Sequence, residues 1–129
     1  MNSTKHLGIW MDHSEAHLIA QDGDSLGITI IKSDFSHHDK QETLNRSENT
    51  MHHKEQHLQA EFYKKISQEI LKYDDVIVFG PTNAKSELSN ILEENALFDK
   101  IKIDVKQTDK MTENQELAFV RDYFKPHGS

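Results

Sequence analysis

The chain has 129 residues, no cysteine and a formal net charge of -7, with 35% hydrophobic and 29% charged residues. That length supports one domain with a continuous core, and the missing cysteines exclude disulfides, thiolate metal sites and cysteine nucleophiles. The acidic balance argues against sequence-blind nucleic-acid binding, which draws on many lysine and arginine contacts to phosphate.

Residues 6–12 alternate Leu7, Ile9 and Met11 against polar or mixed neighbours, the period of a half-buried strand. Residues 15–21 and 27–32 follow as two more strands, separated by the turn signal Asp22-Gly23-Asp24-Ser25, so the chain opens with an antiparallel meander. Residues 34–53 are polar, histidine-rich and nearly without apolar side chains, and are expected to form a flexible loop. Leu58, Phe62, Ile66 and Ile70 then recur at every fourth position, predicting a helix.

Val76-Ile77-Val78-Phe79 reads as a buried strand, followed by a helix with Ala84, Leu88, Ile91 and Leu92 inward. Ile101-Lys102-Ile103-Asp104-Val105 is the last strand, and the last helix carries Leu117, Ala118, Val120 and Phe124. Thr112 and Gln115 have capping-box spacing at its start. Residues 1–125 therefore form one domain and 126–129 a frayed tail.

The order β-β-β-α-β-α-β-α closes most simply as a five-stranded mixed sheet of order 3-2-1-4-5 with helices on its faces, the ribonuclease H-like arrangement. In it, the carboxyl ends of strands 1, 3, 4 and 5 share one edge, where open α/β sheets usually bind ligands. Asp12-His13, the start of the histidine-rich loop, Gly80-Pro81-Thr82-Asn83-Ala84-Lys85 and the segment Thr108-Asp109-Lys110-Met111-Thr112-Glu113-Asn114-Gln115 converge there, with His52, His53 and His57 brought to the same rim by the first helix.

Each segment offers some chemistry. The helix that begins near Asn83 has unpaired N–H groups and, with Lys85, suits a phosphate or carboxylate, although Gly80-Pro81 also turns the chain and Thr82 or Asn83 also caps the helix. The spacing is not that of a Walker P-loop. Asp109, Lys110, Thr112, Asn114 and Gln115 line the adjacent crevice, or else Thr112 and Gln115 are occupied in capping. Asp12 suits the tight turn in which it lies. His53 and His57 share a helix face, and His13 or His37-His38 would complete a zinc or other divalent site; a solvated or nucleic-acid-facing cluster needs no metal, so no resident cofactor is expected. A two-metal nuclease would draw on Asp12, Glu55 or Glu61, and Asp109, but where such enzymes place an aspartate, at the end of strand 4, the chain reads Phe79-Gly80-Pro81.

The hairpin Ile9-Trp10-Met11-Asp12-His13-Ser14-Glu15-Ala16, the run Val78-Phe79-Gly80-Pro81-Thr82-Asn83-Ala84-Lys85, Thr108-Asp109-Lys110 and Arg121-Asp122-Tyr123-Phe124 resemble the short bacterial translational machinery proteins. These are similar to the central domain of the eukaryotic and archaeal peptide-chain release factor and of the ribosome-rescue protein Pelota. The resemblance spans residues 6–124 and implies association with the ribosome or its RNA. In release factors the loop before the first helix carries a Gly-Gly-Gln tripeptide. Here no two glycines are adjacent, and the loop reads Asn45-Arg46-Ser47-Glu48-Asn49-Thr50-Met51-His52-His53-Lys54. Peptidyl-tRNA hydrolysis by that route is not expected, and the flanking domains of release factors have no counterpart in these residues.

The expectation is a non-catalytic, rescue-like or hibernation-like translation factor that contacts RNA through Arg46, Lys54, Lys85, Lys110, Gln115 and the His52/His53/His57 cluster. The alternatives are a metal-dependent phosphoryl-transfer enzyme using Asp12 and Asp109, and a histidine-rich metal-binding stress protein. With no apolar run of membrane-spanning length and no signal-peptide h-region, the expected location is the cytosol, with neither DNA nor membrane as partner.

Overall fold

The alternating apolar residues at the start of the chain build a central strand. The structure, a computed structural model, describes residues 5–22, 25–33 and 48–124, the positions 22, 25 and 48–57 by backbone alone. β1 (His6–Met11), β2 (Glu15–Asp22) and β3 (Ser25–Lys32) form the meander; α1 (Glu48–Ile70) leads to β4 (Asp75–Gly80), α2 (Ala84–Glu93), a 3-10 turn (Ala96–Phe98), β5 (Lys102–Gln107) and α3 (Glu113–Tyr123). The sheet order is β3-β2-β1-β4-β5, as the alternation of elements predicts. β1 pairs antiparallel with β2 and parallel with β4, and β5 parallel with β4, with Ile9 opposite Leu18 on one side and Val78 on the other. β1, β3, β4 and β5 therefore run the same way and end on one rim.

Period-2 alternation divides the apolar side chains between two layers. Leu7, Ile9 and Met11 join Val76, Val78, Phe62, Ile66, Ile70, Leu88 and Leu92 beneath α1 and α2. Trp10, Ile19, Ile77 and Phe79 lie on the opposite face under Val120 and Leu117 of α3, with Phe79 stacked on Phe119 at 4.3 Å between centroids. Burying each of the larger side chains stabilises the fold by about 1.5–3 kcal/mol. Among the described residues α3 is the one helix on this second face, and Ile30 at its margin stays 48% exposed.

α1 begins at Glu48, earlier than the polar composition suggested, so residues 48–53 are helical rather than loop. From residue 48 to 70 there is neither glycine nor proline, and Glu, Met, Lys, Gln, Ala and Leu favour helix without any need for an apolar face. The helix closes in a tight turn in which the Tyr73 N–H donates to Ile70 O at 3.0 Å. Asp74 and Asp75 N–H then donate to Lys5 O at 2.9 and 3.1 Å, delivering the chain alongside β1.

α2 buries Ala84, Lys85, Leu88 and Leu92. Ile91, expected inward, is instead 44% exposed. It lies one position off the Leu88–Leu92 stripe and lines a groove of about 490 Å³ with Tyr63, Leu71, Leu97 and Phe98. No helix among the described residues is long and apolar enough to cross a membrane.

Candidate functional site

Tight turns fix the rim before any ligand is considered. At the end of β1, Asp12 Oδ1 accepts from the N–H groups of Ser14 at 2.7 Å and Glu15 at 2.9 Å, while the Asp12 N–H donates to Glu15 O at 3.0 Å. Its carboxylate thus closes the β1–β2 turn, the structural use that Asp commonly has there. Ser33 N–H donates to Ser14 O at 2.8 Å and joins the end of β3 to the same turn.

Gly80 ends β4 with φ +156°, and a Cβ built there would overlap the Met11 carbonyl oxygen. Only glycine lets the end of β4 approach β1 this closely. The Thr108 N–H donates to Gly80 O at 3.1 Å, extending the β4–β5 pairing to the rim. Thr82 Oγ1 accepts from Ala84 N–H at 3.2 Å, and Asn83, at the N-cap, makes no side-chain capping bond.

Lys85, expected to meet a ligand anion, is 4% exposed. Its Nζ donates to Thr82 O at 2.5 Å and to Gln107 Oε1 at 2.6 Å, and Gln107 Nε2 donates on to Pro81 O at 3.2 Å. These bonds tie the turn after β4 to the end of β5. Burial lowers the affinity of the Lys85 amine for its proton, and among the described residues no carboxylate pairs with it. Lys85 is thus an internal brace of the rim, and the part played by Gln107 had no local signature in the sequence.

Asp109, Lys110, Thr112, Asn114 and Gln115 are exposed. Thr112 and Gln115 form the capping box in full: the Gln115 N–H donates to Thr112 Oγ1 at 3.2 Å, and the Thr112 N–H donates to Gln115 Oε1 at 2.9 Å. His13, exposed at the β1–β2 turn, has Nε2 3.3 Å from Glu87 of α2. Glu87 Oε1 in turn accepts from the Tyr63 hydroxyl at 2.5 Å, linking the turn, α2 and α1. Burial and the Glu87 carboxylate both raise the Tyr63 phenol well above its ordinary range.

Arg46, His37 and His38 lie outside the described residues, as do the side chains of His52, His53, Lys54, Glu55 and His57; the backbone of the last five belongs to the first turns of α1. No group of three His, Asp or Glu side chains able to hold a metal ion occurs among the described residues. The rim they form is mixed in charge, with Lys110 beside Asp109 and Glu113, and His13 beside Glu87.

No family model and no curated protein matches the chain. Solved structures do. Over 95% of its length it matches Pelota from Archaeoglobus fulgidus, with 11% identity, a TM-score of 0.61 and 32% of that chain covered. This chain is folded like one third of Pelota. Pelota from Thermoplasma acidophilum gives 12% identity and a TM-score of 0.56 over 33% of its chain, and the archaeal translation termination factor aRF1 gives 18% and 0.58 over 35%. The likeness to Pelota and aRF1 expected from residues 6–124 is thus present as a shared fold, at about a third of the length of each.

One feature has no trace in the motifs. His17 of β2 lies between two carboxylates on the α3 face, Nδ1 2.7 Å from Glu116 Oε1 and Nε2 3.2 Å from Glu15 Oε1. Glu116 is 1% exposed, and the Trp10 ring stands 4.9 Å from the imidazole. The pair spans 99 residues of sequence, and a polar residue in the first turn of an exposed helix reads as surface.

Proposed function

We propose that the chain is a non-catalytic, ribosome- or RNA-associated translation factor of the rescue or hibernation kind, one of the short bacterial translational machinery proteins. The observation that carries this reading is the fold match over 95% of the chain to two Pelota structures and to a factor described as one of translation termination. Fold alone does not assign function; the residue pattern that resembles the same proteins supports the same direction independently.

The surface offered to RNA is the rim, with Lys110, Asn83, Asn114 and His13 exposed and the first turns of α1 rising from the same edge. Arg46, Lys54 and His52, His53 and His57 add phosphate- and sugar-binding groups from the adjoining segment. Lys85 acts from within by holding the turn that presents Asn83. The phosphoryl-transfer alternative gains no support from the described residues, since Asp12 is spent on its own turn and no group of side chains among them is arranged to hold a metal ion.

The test is sucrose-gradient co-sedimentation with ribosomes from the protein's own cells, in growth and starvation, at low and raised salt. Migration with ribosomal particles, weakened by salt and by Lys110→Glu, is the expected result. Protein that stays at the top of the gradient in every condition overturns the reading.

A further inference from the structure

We propose that Glu15, His17 and Glu116 form a proton-loaded latch that holds the first turn of α3, and with it the rim segment 108–115, against the sheet, and that rising pH releases it.

The geometry sets the proton count. Both ring nitrogens of His17 face carboxylate oxygens, at 2.7 and 3.2 Å. Each of these N···O contacts requires a proton between the two atoms, because otherwise two lone pairs oppose each other. The three groups together therefore hold two protons, either as an imidazolium between two carboxylates or as a neutral imidazole beside a protonated Glu116. An unfolded chain at mildly alkaline pH holds one, on a neutral imidazole. Folding takes up the difference.

The surroundings keep that proton in place. Glu116 has a side chain only 2% exposed and His17 one of 13%, so water cannot replace either partner readily. β1 presents Trp10 to the imidazole and β3 presents Ile30 opposite His17, neither of them titratable. The charged neighbours are Glu113, one turn ahead of Glu116 on α3, and Lys32, opposite Glu15 on β3. Among the described residues no lysine or arginine pairs with either carboxylate, so His17 supplies the cluster's positive charge.

The direction of the effect follows. Burial disfavours the His17 charge, but the hydrogen bonds and attraction to Glu116 and Glu15 outweigh it and raise His17 above its ordinary value of 6.5. Burial raises Glu116 as well, with His17 opposing. A group bound more tightly to its proton in the folded state contributes stability that is complete below the unfolded value and lost as pH rises through the folded one. His17 therefore weakens the docking of α3 as pH climbs above its ordinary value of 6.5, and the contribution of Glu116 is lost in the same direction, as pH rises above the ordinary carboxyl value of 4.5. Because Glu116 directly follows Gln115, loss of the latch frees the capping box and the loop before it.

The experiment is amide hydrogen exchange followed by NMR on the full chain, between about pH 6 and about pH 9, corrected for the intrinsic base-catalysed rate. The α3 amides are expected to lose about tenfold in protection over that span while β1 and β4 hold theirs, and Glu116→Gln, which leaves His17 only Glu15, is expected to reduce the pH dependence. Protection of α3 that does not change with pH, or that falls in step with the sheet, overturns the proposal. Should the variant fold poorly, the wild-type chain still decides the matter. The His17 ring resonances are expected to titrate above 6.5, and a midpoint at or below that value overturns the latch.

Discussion

Val120 of α3 rests directly on the backbone of Gly8 in β1: a Cβ built at Gly8 would fall 2.9 Å from Val120 Cγ1 and closer still to Cγ2. Gly8→Ala therefore forces the helix away from the sheet, at a cost of about 1–3 kcal/mol. Val120→Ala removes the obstructing methyls, so the double variant is expected to be more stable than the sum of the two single costs implies. Urea unfolding of the four proteins measures the coupling.

Gly80→Ala meets a harder obstacle, since its Cβ would collide with the carbonyl of Met11, which is backbone, and φ +156° is already unfavourable for any other residue. No single partner substitution relieves the clash. The expected result is a loss of thermal stability larger than that of Gly8→Ala, read by differential scanning calorimetry.

Lys85→Met tests whether the buried amine is a brace or a ligand. Removing it leaves Thr82 O and Gln107 Oε1 without their donor, a loss of about 1–3 kcal/mol in stability. In ribosome binding, the slope of log affinity against log salt is expected to stay unchanged for Lys85→Met and to fall by about one for Lys110→Ala, because only an exposed cation releases a counterion on contact. Gln107→Ala, which alters no charge, is expected to weaken binding together with Lys85→Met through the shared turn.

Gln115→Glu separates capping from recognition. Glutamate serves the capping box as well as glutamine does and favours the helix N-terminus, so stability is expected to change by less than about 0.5 kcal/mol. Gln115→Ala loses the box and is expected to cost about 1 kcal/mol. If Gln115 also contacts RNA, the glutamate variant binds ribosomes more weakly at full stability, which co-sedimentation would show.

Much of this architecture was legible because its determinants are local. Alternation in residues 6–12 and the spacing of Thr112 and Gln115 each act within a few residues, and each produced the predicted element; Gly23 and Asp24 of the turn signal Asp22-Gly23-Asp24-Ser25 lie outside the described residues. The misreadings arise where a distant neighbour or a weak local signal decides. Ile91 fits the helical period but meets a groove instead of the sheet. Residues 48–53 are polar enough to pass for loop, yet contain nothing that breaks a helix. Lys85 reads as a cation that meets a ligand anion until β5 brings Gln107 beside it, 22 positions on. Glu116 and His17 are farther apart still, and nothing in the sequence near either one announces the other.

The division into two layers also sets an order of events during synthesis. Strands β1, β2, β4 and β5 and both helices of the first layer precede residue 113 in the chain, so that layer can close while Trp10, Ile19, Ile77 and Phe79 still face water. A nascent chain at that stage carries a broad apolar surface, the kind that partly folded intermediates present to one another and to chaperones. Docking of the eleven-residue α3 covers that surface. An arrest or frameshift a few codons before α3 would therefore be expected to yield an aggregating product rather than a folded one.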